Sequence, residues 1–362
     1  MVNERTIFAK YRSERSNELC LACCITRHSV SAVLYDIALG RRYARCVQFG
    51  VTLSPDNALS CIGGVVLRVM RESGTQGNAV KKLGFAAPAD ITILIEETIS
   101  PTDLFLPPDT ELVILPMISA QLGGDFTAVA AAALRQGESV LAADVTGGFR
   151  AAACSDGRFR TLYLPMKGGI DGTALETGMP LECGAIDQLS REPDGTLCYS
   201  VIGDGDGLGV SASAAAQAVR IMLDIGALDS DGIMTDRDLF YIGEDHFISQ
   251  NDVRAVQSDK AACCAALERL GELTGTHDRV IISGEAFGNE QGAAAMAQLG
   301  AVPRGLGEKY GWSRSPAEQG LINCLTDPEL LGKVTELCGY AEDISPLLND
   351  GFDELYIKNL VF

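Results

Sequence analysis

The stretch Val140-Leu-Ala-Ala-Asp-Val-Thr-Gly-Gly-Phe-Arg-Ala-Ala-Ala-Cys154 decides the fold class. Val140–Val145 is an apolar run of the length of a buried strand, Gly147-Gly148 supplies a turn, and residues 150–154 return as a second strand. The same order occurs once before, where Leu19–Ile25 reads as a strand and residues 31–35 as its hairpin partner. Further strands are expected at 91–95, 112–115, 160–164 and 280–283. Helices are expected between them, the clearest over 250–273, where Ser249 and Asp252 make a capping box and Val253, Val256, Cys263, Leu267 and Leu270 recur at helical spacing. Others are expected over 213–225, stopped by Gly226, and around 292–299. A hairpin followed by helices, twice in one chain, predicts an α/β protein of two lobes with the hairpin turns at a ligand-binding cleft. A single open α/β sheet with coincidental hairpins also satisfies the pattern.

The 362 residues are 47% hydrophobic and 21% charged, enough to bury a large core in one or two domains. Lys and Arg number 29 against 48 Asp and Glu, a net charge of −19 that repels phosphate backbones and anionic lipid heads. Nucleic acid and membrane surfaces are therefore not expected as partners. The charge is uneven: residues 1–136 hold 13 basic and 13 acidic side chains, so the whole −19 belongs to the remainder. The expected division is an N-terminal extension over 1–18, a first lobe over 19–136 and a second lobe with a closing segment over 137–362. An acidic second lobe favours basic or neutral partner surfaces.

Twelve cysteines are too few for a disulfide scaffold of this length, and no leading apolar segment suggests secretion, so the expected compartment is reducing cytoplasm. Cys20, Cys23 and Cys24 have the spacing of a metal grip, but they lie in an expected buried strand, where neighbouring side chains point to opposite faces and cannot converge. No second CxxC follows, and Cys263 and Cys264 are adjacent on an expected helix. Three histidines, His28, His246 and His277, leave little material for a metal site or a nucleophilic triad. No metal site and no catalytic residue is assigned.

Glycine-rich turns expose backbone N–H groups that cradle phosphates. Three occur: Asp144-Val-Thr-Gly147-Gly148, Gly203-Asp-Gly205-Asp-Gly207-Leu-Gly209, and Ser283-Gly284-Glu285-Ala-Phe287-Gly288-Asn289. The middle turn has neither dinucleotide-binding spacing nor a full calcium-loop ligand set, although Asp204 and Asp206 alternate with glycine. The third follows a strand and precedes a helix, which places its amides at a helix N-terminus. The candidate nucleotide-binding residues are Asp144, Gly147, Gly148, Gly207, Gly209, Gly284, Glu285, Phe287 and Gly288.

The order of these turns and their flanks resembles the C-terminal actin-like ATPase-fold region of the reductive activators of corrinoid proteins. The residues that carry the resemblance are Leu115-Pro116, Gly123-Gly124-Asp125, Asp144, Gly169 through Gly172, Gly178-Met179, Gly184-Ala-Ile-Asp187, Gly207, Gly209, Asp252-Val-Arg254, Gln257, Lys260, Gly284, Phe287-Gly288-Asn289 and the closing residues 350–362. The resemblance implies an α/β, two-lobed actin-like fold with duplicated ribonuclease-H-like halves. It implies ATP-driven passage of one electron to a Co(II) corrinoid held by a protein of a methyltransferase system. Such activators receive that electron through an N-terminal iron–sulfur domain, whereas residues 1–18 contain no cysteine. The expected partners are thus a corrinoid protein, a separate iron–sulfur electron donor and a second copy of the chain, with corrinoid reached only through its carrier protein.

The superfamily opens its first hairpin with Asp-x-Gly-Thr for Mg²⁺ and phosphate. Here the matching residues are Cys24-Ile25-Thr26-Arg27-His28-Ser29, and in the second hairpin Phe149 and Arg150 replace small and acidic residues. A degenerate ATP and magnesium site is expected, with no tightly bound cofactor. The alternatives are a non-catalytic scaffold or interaction protein of the same superfamily, and a small-molecule kinase with Asp144 or Asp171 as its base.

Overall fold

Strand β2 (Leu19–Ile25) carries no charged residue and is buried along its whole length, as befits the centre of a sheet. The structure, a computed structural model, describes residues 5–49, 53–135, 139–203, 205–235, 237–349 and 351–362. It divides into two units, one of Met1–Gly137 with Ser315–Ala341 and one of Glu138–Arg314 with Glu342–Phe362. The helices Pro316–Thr326 and Pro328–Gly339 therefore belong with the first unit, not with the second lobe in which the linear reading at 137–362 put them. Gln136, the expected boundary, lies outside the described residues.

In the first unit β2, β3 (Ser29–Asp36) and β4 (Arg41–Phe49) form an antiparallel meander. Strands β5 (Val80–Ala86) and β6 (Glu111–Ile114) then continue the sheet in parallel with β2. Arg5–Lys10, part of the expected N-terminal extension, is a strand, β1, on the outer edge of β4. Period-two alternation sends Leu19, Leu21, Cys23 and Ile25 into one core with Ile62, Val65 and Val69 of α1 (Pro55–Ser73) and Ile91 and Ile95 of α2 (Ala89–Thr98). Residues 91–95, expected as a strand, are the middle of α2. Pro88 starts that helix, and burying Ile91 and Ile95 four residues apart overrides the β-branched composition. Helix α3 (Gly124–Leu134) is buried throughout. The helix Pro316–Thr326 lies so close to it that a Cβ at Gly320 would overlap the Ala128 carbonyl.

In the second unit β7 (Val140–Val145), β8 (Phe149–Ser155) and β9 (Arg158–Leu164) repeat the meander. Further along the chain come a sheet of β10 (Ala185–Arg191), β11 (Leu197–Val201) and β12 (Gly209–Val210), helix α4 (Ala212–Asp224), and the hairpin β13 (Leu239–Tyr241) and β14 (Phe247–Ser249). Helix α5 (Gln250–Thr274) starts at the Ser249 and Asp252 capping box expected from sequence. Strand β15 (Arg279–Gly284) returns beside β7, α6 (Glu290–Gln298) follows, and β16 (Glu342–Asp343) closes the sheet against β9.

The strand order β15-β7-β8-β9 repeats the β5-β2-β3-β4 order of the first unit, and Tyr310 bridges Val280 in parallel where β6 stands in that unit. The chain thus has the duplicated ribonuclease-H-like, actin-like fold. Among the described residues no helix is long and apolar enough to cross a membrane.

Candidate functional site

Asp144 stands at the end of β7 between two strands, opposite Arg150 of β8 and opposite Ser283 of β15. Directly opposed residues share a face of the sheet, so the three side chains meet. The Arg150 guanidinium donates to Oδ2 of Asp144 over 2.6 Å and the Ser283 hydroxyl donates to Oδ1 over 2.5 Å. Asp144, Arg150 and Ser283 are 6%, 8% and 7% exposed, so the carboxylate is compensated by its own protein and not by solvent. Sequence reasoning singled out Asp144 and noticed Arg150 as a departure from pattern. The pairing itself was readable from the hairpin register across the Thr146-Gly147-Gly148 turn.

That turn needs glycine for two reasons. Gly147 (φ 65°) and Gly148 (φ 133°) both adopt left-handed backbone, and a Cβ at Gly148 would sit 2.7 Å from the Tyr163 ring. On the neighbouring strand end Gly284 (φ 118°) passes so near β7 that a Cβ would overlap the Val145 carbonyl. Strand pairing therefore brings the first and third glycine turns together.

Beyond Gly284 the chain makes a short turn, Glu285–Phe287, and enters α6 through Asn289, whose side chain accepts from the Gly292 amide over 2.7 Å. The Glu285 carboxylate accepts from the Leu181 amide over 2.8 Å. Burial pushes the Glu285 carboxyl up to about 7, and the charges of Asp144, Asp171 and Asp187 add to the rise. Burial also raises Asp187, which faces Asn289 and Ser211. Phe287 is a core residue: it packs edge-on to Tyr310, and its carbonyl accepts from the indole of Trp312 over 2.9 Å. Gly288 packs on Leu181.

Gly207 and Gly209 lead into Ser211, the N-cap of α4, which faces Asp187. A Cβ at Gly207 would meet Ile186 at 2.9 Å, and one at Gly209 would meet Met179 and the Thr177 carbonyl at 3.0 Å, so both glycines serve the packing of the β10–β12 sheet. Asp204 lies outside the described residues. Asp171, offered as a base, accepts from the Thr173 amide over 3.0 Å and from its hydroxyl over 2.7 Å, a closed turn of its own.

In the first unit the hairpin turn at residues 26–28 is held by the Thr26 hydroxyl, which accepts from the amides of His28 and Ser29. Arg27 makes a bidentate pair with Asp90 in the first turn of α2, both contacts 2.9 Å, with the two side chains 46% and 41% exposed. Cys20, Cys23 and Cys24 are buried on β2, and burial pushes Cys20 and Cys23 up to about 12. Burial favours the neutral thiol at each of the three. Among the described residues no three His, Cys, Asp or Glu side chains are arranged to hold a metal ion.

Residues 169–362 match the family model described as the C-terminal domain of RACo, the ASKHA domain. The chain belongs to this family. It is 25% identical over 292 residues, 72% of its length, to the corrinoid activation enzyme RamQ of Eubacterium limosum, and spans only 49% of that curated relative. Its fold superposes on a reductive activator for corrinoid, iron–sulfur protein with a TM-score of 0.74 and 17% identity, covering 97% of this chain and 67% of the other.

Within the stretch that matches the RACo ASKHA family, helix α5 explains several residues whose pattern was visible without their purpose. The Asp259 carboxylate accepts from the amides of Lys167 (2.8 Å) and Gly169 (2.6 Å), and Asp252 accepts from the amide of Glu176 (2.9 Å). A Cβ at Gly169 would overlap the backbone of Ala255. The helix is thus a brace for the loop that carries Asp171. Lys260, 1% exposed, donates to the Val361 carbonyl over 2.5 Å and lies 5.1 Å from the centre of the Phe362 ring.

Proposed function

We propose that the chain works in corrinoid activation, recognising the corrinoid-carrying protein of a methyltransferase system without a functional magnesium–nucleotide centre of its own. The observation that carries this reading is the match of residues 169–362 to the RACo ASKHA family, seconded by the likeness to a protein named a corrinoid activation enzyme. The nucleotide part rests on Asp144. A carboxylate that positions Mg²⁺ must offer its negative charge to the ion or its waters, and the charge of Asp144 is already paired with the Arg150 guanidinium over 2.6 Å, a cation that opposes Mg²⁺ at the same carboxylate. In the first hairpin the carboxylate position is Cys24, a buried neutral thiol. These residues do not suit a magnesium–nucleotide, so no phosphoryl-transfer step is assigned to them.

In this reading a separate iron–sulfur protein supplies the electron, and the chain supplies recognition. The test mixes the purified chain with a Co(II) corrinoid protein from the same cell and a low-potential iron–sulfur donor, with and without ATP, and follows the cobalt absorbance. The expected result is a complex with the corrinoid protein and faster Co(I) formation that does not require ATP. Absence of both the complex and the Co(I) signal overturns the proposal. A second reading, a non-catalytic scaffold, is favoured by the same closed Asp144–Arg150 pair. It predicts the complex without any change in Co(I) formation.

A further inference from the structure

The insertion between β9 and α5 holds a sheet edge beside which no further strand pairs among the described residues. In the order β11-β10-β12, strand β11 is terminal. The opposite side of β10 is closed: β12 pairs with Ala185 and Ile186, and further along the Gln217 side chain accepts from the Leu189 amide over 2.9 Å. Along β11, Cys198, Tyr199 and Ser200 are exposed on both faces of the sheet. Native edges are blunted by Lys, Pro, bulges or covering loops, and Leu197-Cys-Tyr-Ser-Val201 has neither proline nor charge. The one register shift, between Ile186 and Gln188, is on the inner strand. A groove of about 390 Å³ lies across the β10–β11 pair, its lining joining Cys198, Tyr199 and Ser200 to Leu189 and to Gln217 of α4.

The electrostatics around this edge select its occupant. Residues 185–249 contain 12 acidic and 3 basic side chains, a net −9 out of the chain's −19. Glu192 and Asp194 are exposed in the β10–β11 turn beside one exposed cation, Arg191, and Glu244 and Asp245 are exposed in the β13–β14 turn. The Tyr199 ring lies against Gly243, next to that second acidic pair. Tyr199 and Tyr241 are 44% and 51% exposed, aromatic anchors of the kind that interfaces favour. A second copy would bring the same −9 against itself, and nucleic acid and anionic lipid are repelled on the same ground.

We propose that β11 is a docking edge for an extended, lysine- or arginine-bearing segment of a partner protein, which adds to it as a strand. Main-chain hydrogen bonds along Leu197–Val201 would supply affinity, and the flanking acids would set sign and register. This goes beyond the corrinoid reading and does not depend on it.

The test uses the full chain and a fluorescent ten-residue peptide of alternating Lys and Val, with a Glu and Val peptide as control. Anisotropy should show binding of the Lys peptide alone, weakening steeply with salt. Hydrogen exchange should slow at the amides of Leu197–Val201. The variant Glu192→Lys with Asp194→Lys, Glu244→Lys and Asp245→Lys alters only exposed side chains. It should lose the Lys peptide by roughly tenfold or more and gain the Glu peptide. Circular dichroism checks that it is folded, and Ser200→Lys offers a milder block of the same edge. Equal binding of both peptides, protection at another site, or indifference to both variants overturns the proposal. The peptides carry no corrinoid, so these outcomes leave the cobalt experiment to stand or fall by itself.

Discussion

Replacing Arg150 by methionine keeps most of its volume and removes its charge, leaving the Asp144 carboxylate among buried neighbours with the Ser283 hydroxyl still donating to it. The pair is 2.6 Å apart, with side chains 10% and 8% exposed, so solvent cannot take over the role of the guanidinium. Breaking a buried pair by deleting one partner costs about 3–5 kcal/mol. The double variant Asp144→Asn with Arg150→Met removes both charges and keeps an acceptor for Ser283, so it should lie within about 1 kcal/mol of the parent. The double variant should thus recover about 2–4 kcal/mol of the loss seen in Arg150→Met, well above the ~0–1 kcal/mol of a surface pair. Urea unfolding followed by fluorescence reads this directly. The chain has a single tryptophan, Trp312, and its indole is bonded to the Phe287 carbonyl beside the site. If Arg150→Met loses less than about 1 kcal/mol, or the double variant is as unstable as the single one, Asp144 is not held by a buried ion pair and the argument against a magnesium site fails.

Three further outcomes follow from titrating groups. Burial holds the Glu285 carboxyl at about 7 against an ordinary 4.5, so the folded state keeps a proton that the unfolded chain loses, and the associated stability is present at acid pH and lost as pH rises through 7. Glu285→Gln should therefore match the parent at pH 4.5 and exceed it by about 3 kcal/mol at pH 8, measured as urea midpoints. Cys20, Cys23, Cys264 and Cys324 are held near 12 against 9.0 by burial, so each favours the unfolded chain by roughly 1.4 kcal/mol at pH 10, and the thermal midpoint should fall steeply above pH 9. Lys260 acts in the opposite sense: burial lowers it to about 8 from 10.5, so the stability of the parent relative to Lys260→Met should rise by up to about 3 kcal/mol between pH 8 and pH 10.5. The neutral amine still donates to Val361. A parent-to-variant difference that is flat with pH would show that Lys260 is solvated.

Local pattern recovered what local chemistry decides. Val140–Val145 and Leu19–Ile25 are strands with the predicted bounds, and the α5 capping box stands where Ser249 and Asp252 put it. Residues 91–95 misled because β-branched composition says strand while the Ile91 and Ile95 spacing says helix, and only the core packed against them decides. The return of Ser315–Ala341 to the first unit was not legible at all, because no local signal marks which of two cores a helix will cover. Gly207 and Gly209 read as candidate phosphate-binding glycines, and both also pack closely, on Ile186 and Met179, a need that leaves the same glycine signature in the sequence. Asp259 drew no notice in sequence because its partners, the amides at 167–170, lie some 90 residues away.

The two hairpins place an arginine near an aspartate in opposite circumstances, and this decides which arginine an anion can take. Arg150 is committed to Asp144 in the interior, where exchanging the partner for a hydrated phosphate would cost several kcal/mol. Arg27 pairs with Asp90 at the surface, where side chains are 46% and 41% exposed and such pairs contribute about 0–1 kcal/mol. Its bidentate fork fits phosphate as well as carboxylate. Asp90→Asn should thus free Arg27 and enlarge the thermal stabilisation of the chain by inorganic phosphate, with the half-saturating concentration falling by about fivefold for a pair worth ~1 kcal/mol. Arg27→Met should abolish that increment, and Arg150→Met should leave it intact. Phosphate stabilisation of the same size in Arg27→Met as in the parent would mean that the anion sits elsewhere, and that an exposed guanidinium on this turn has no more hold on phosphate than the buried one.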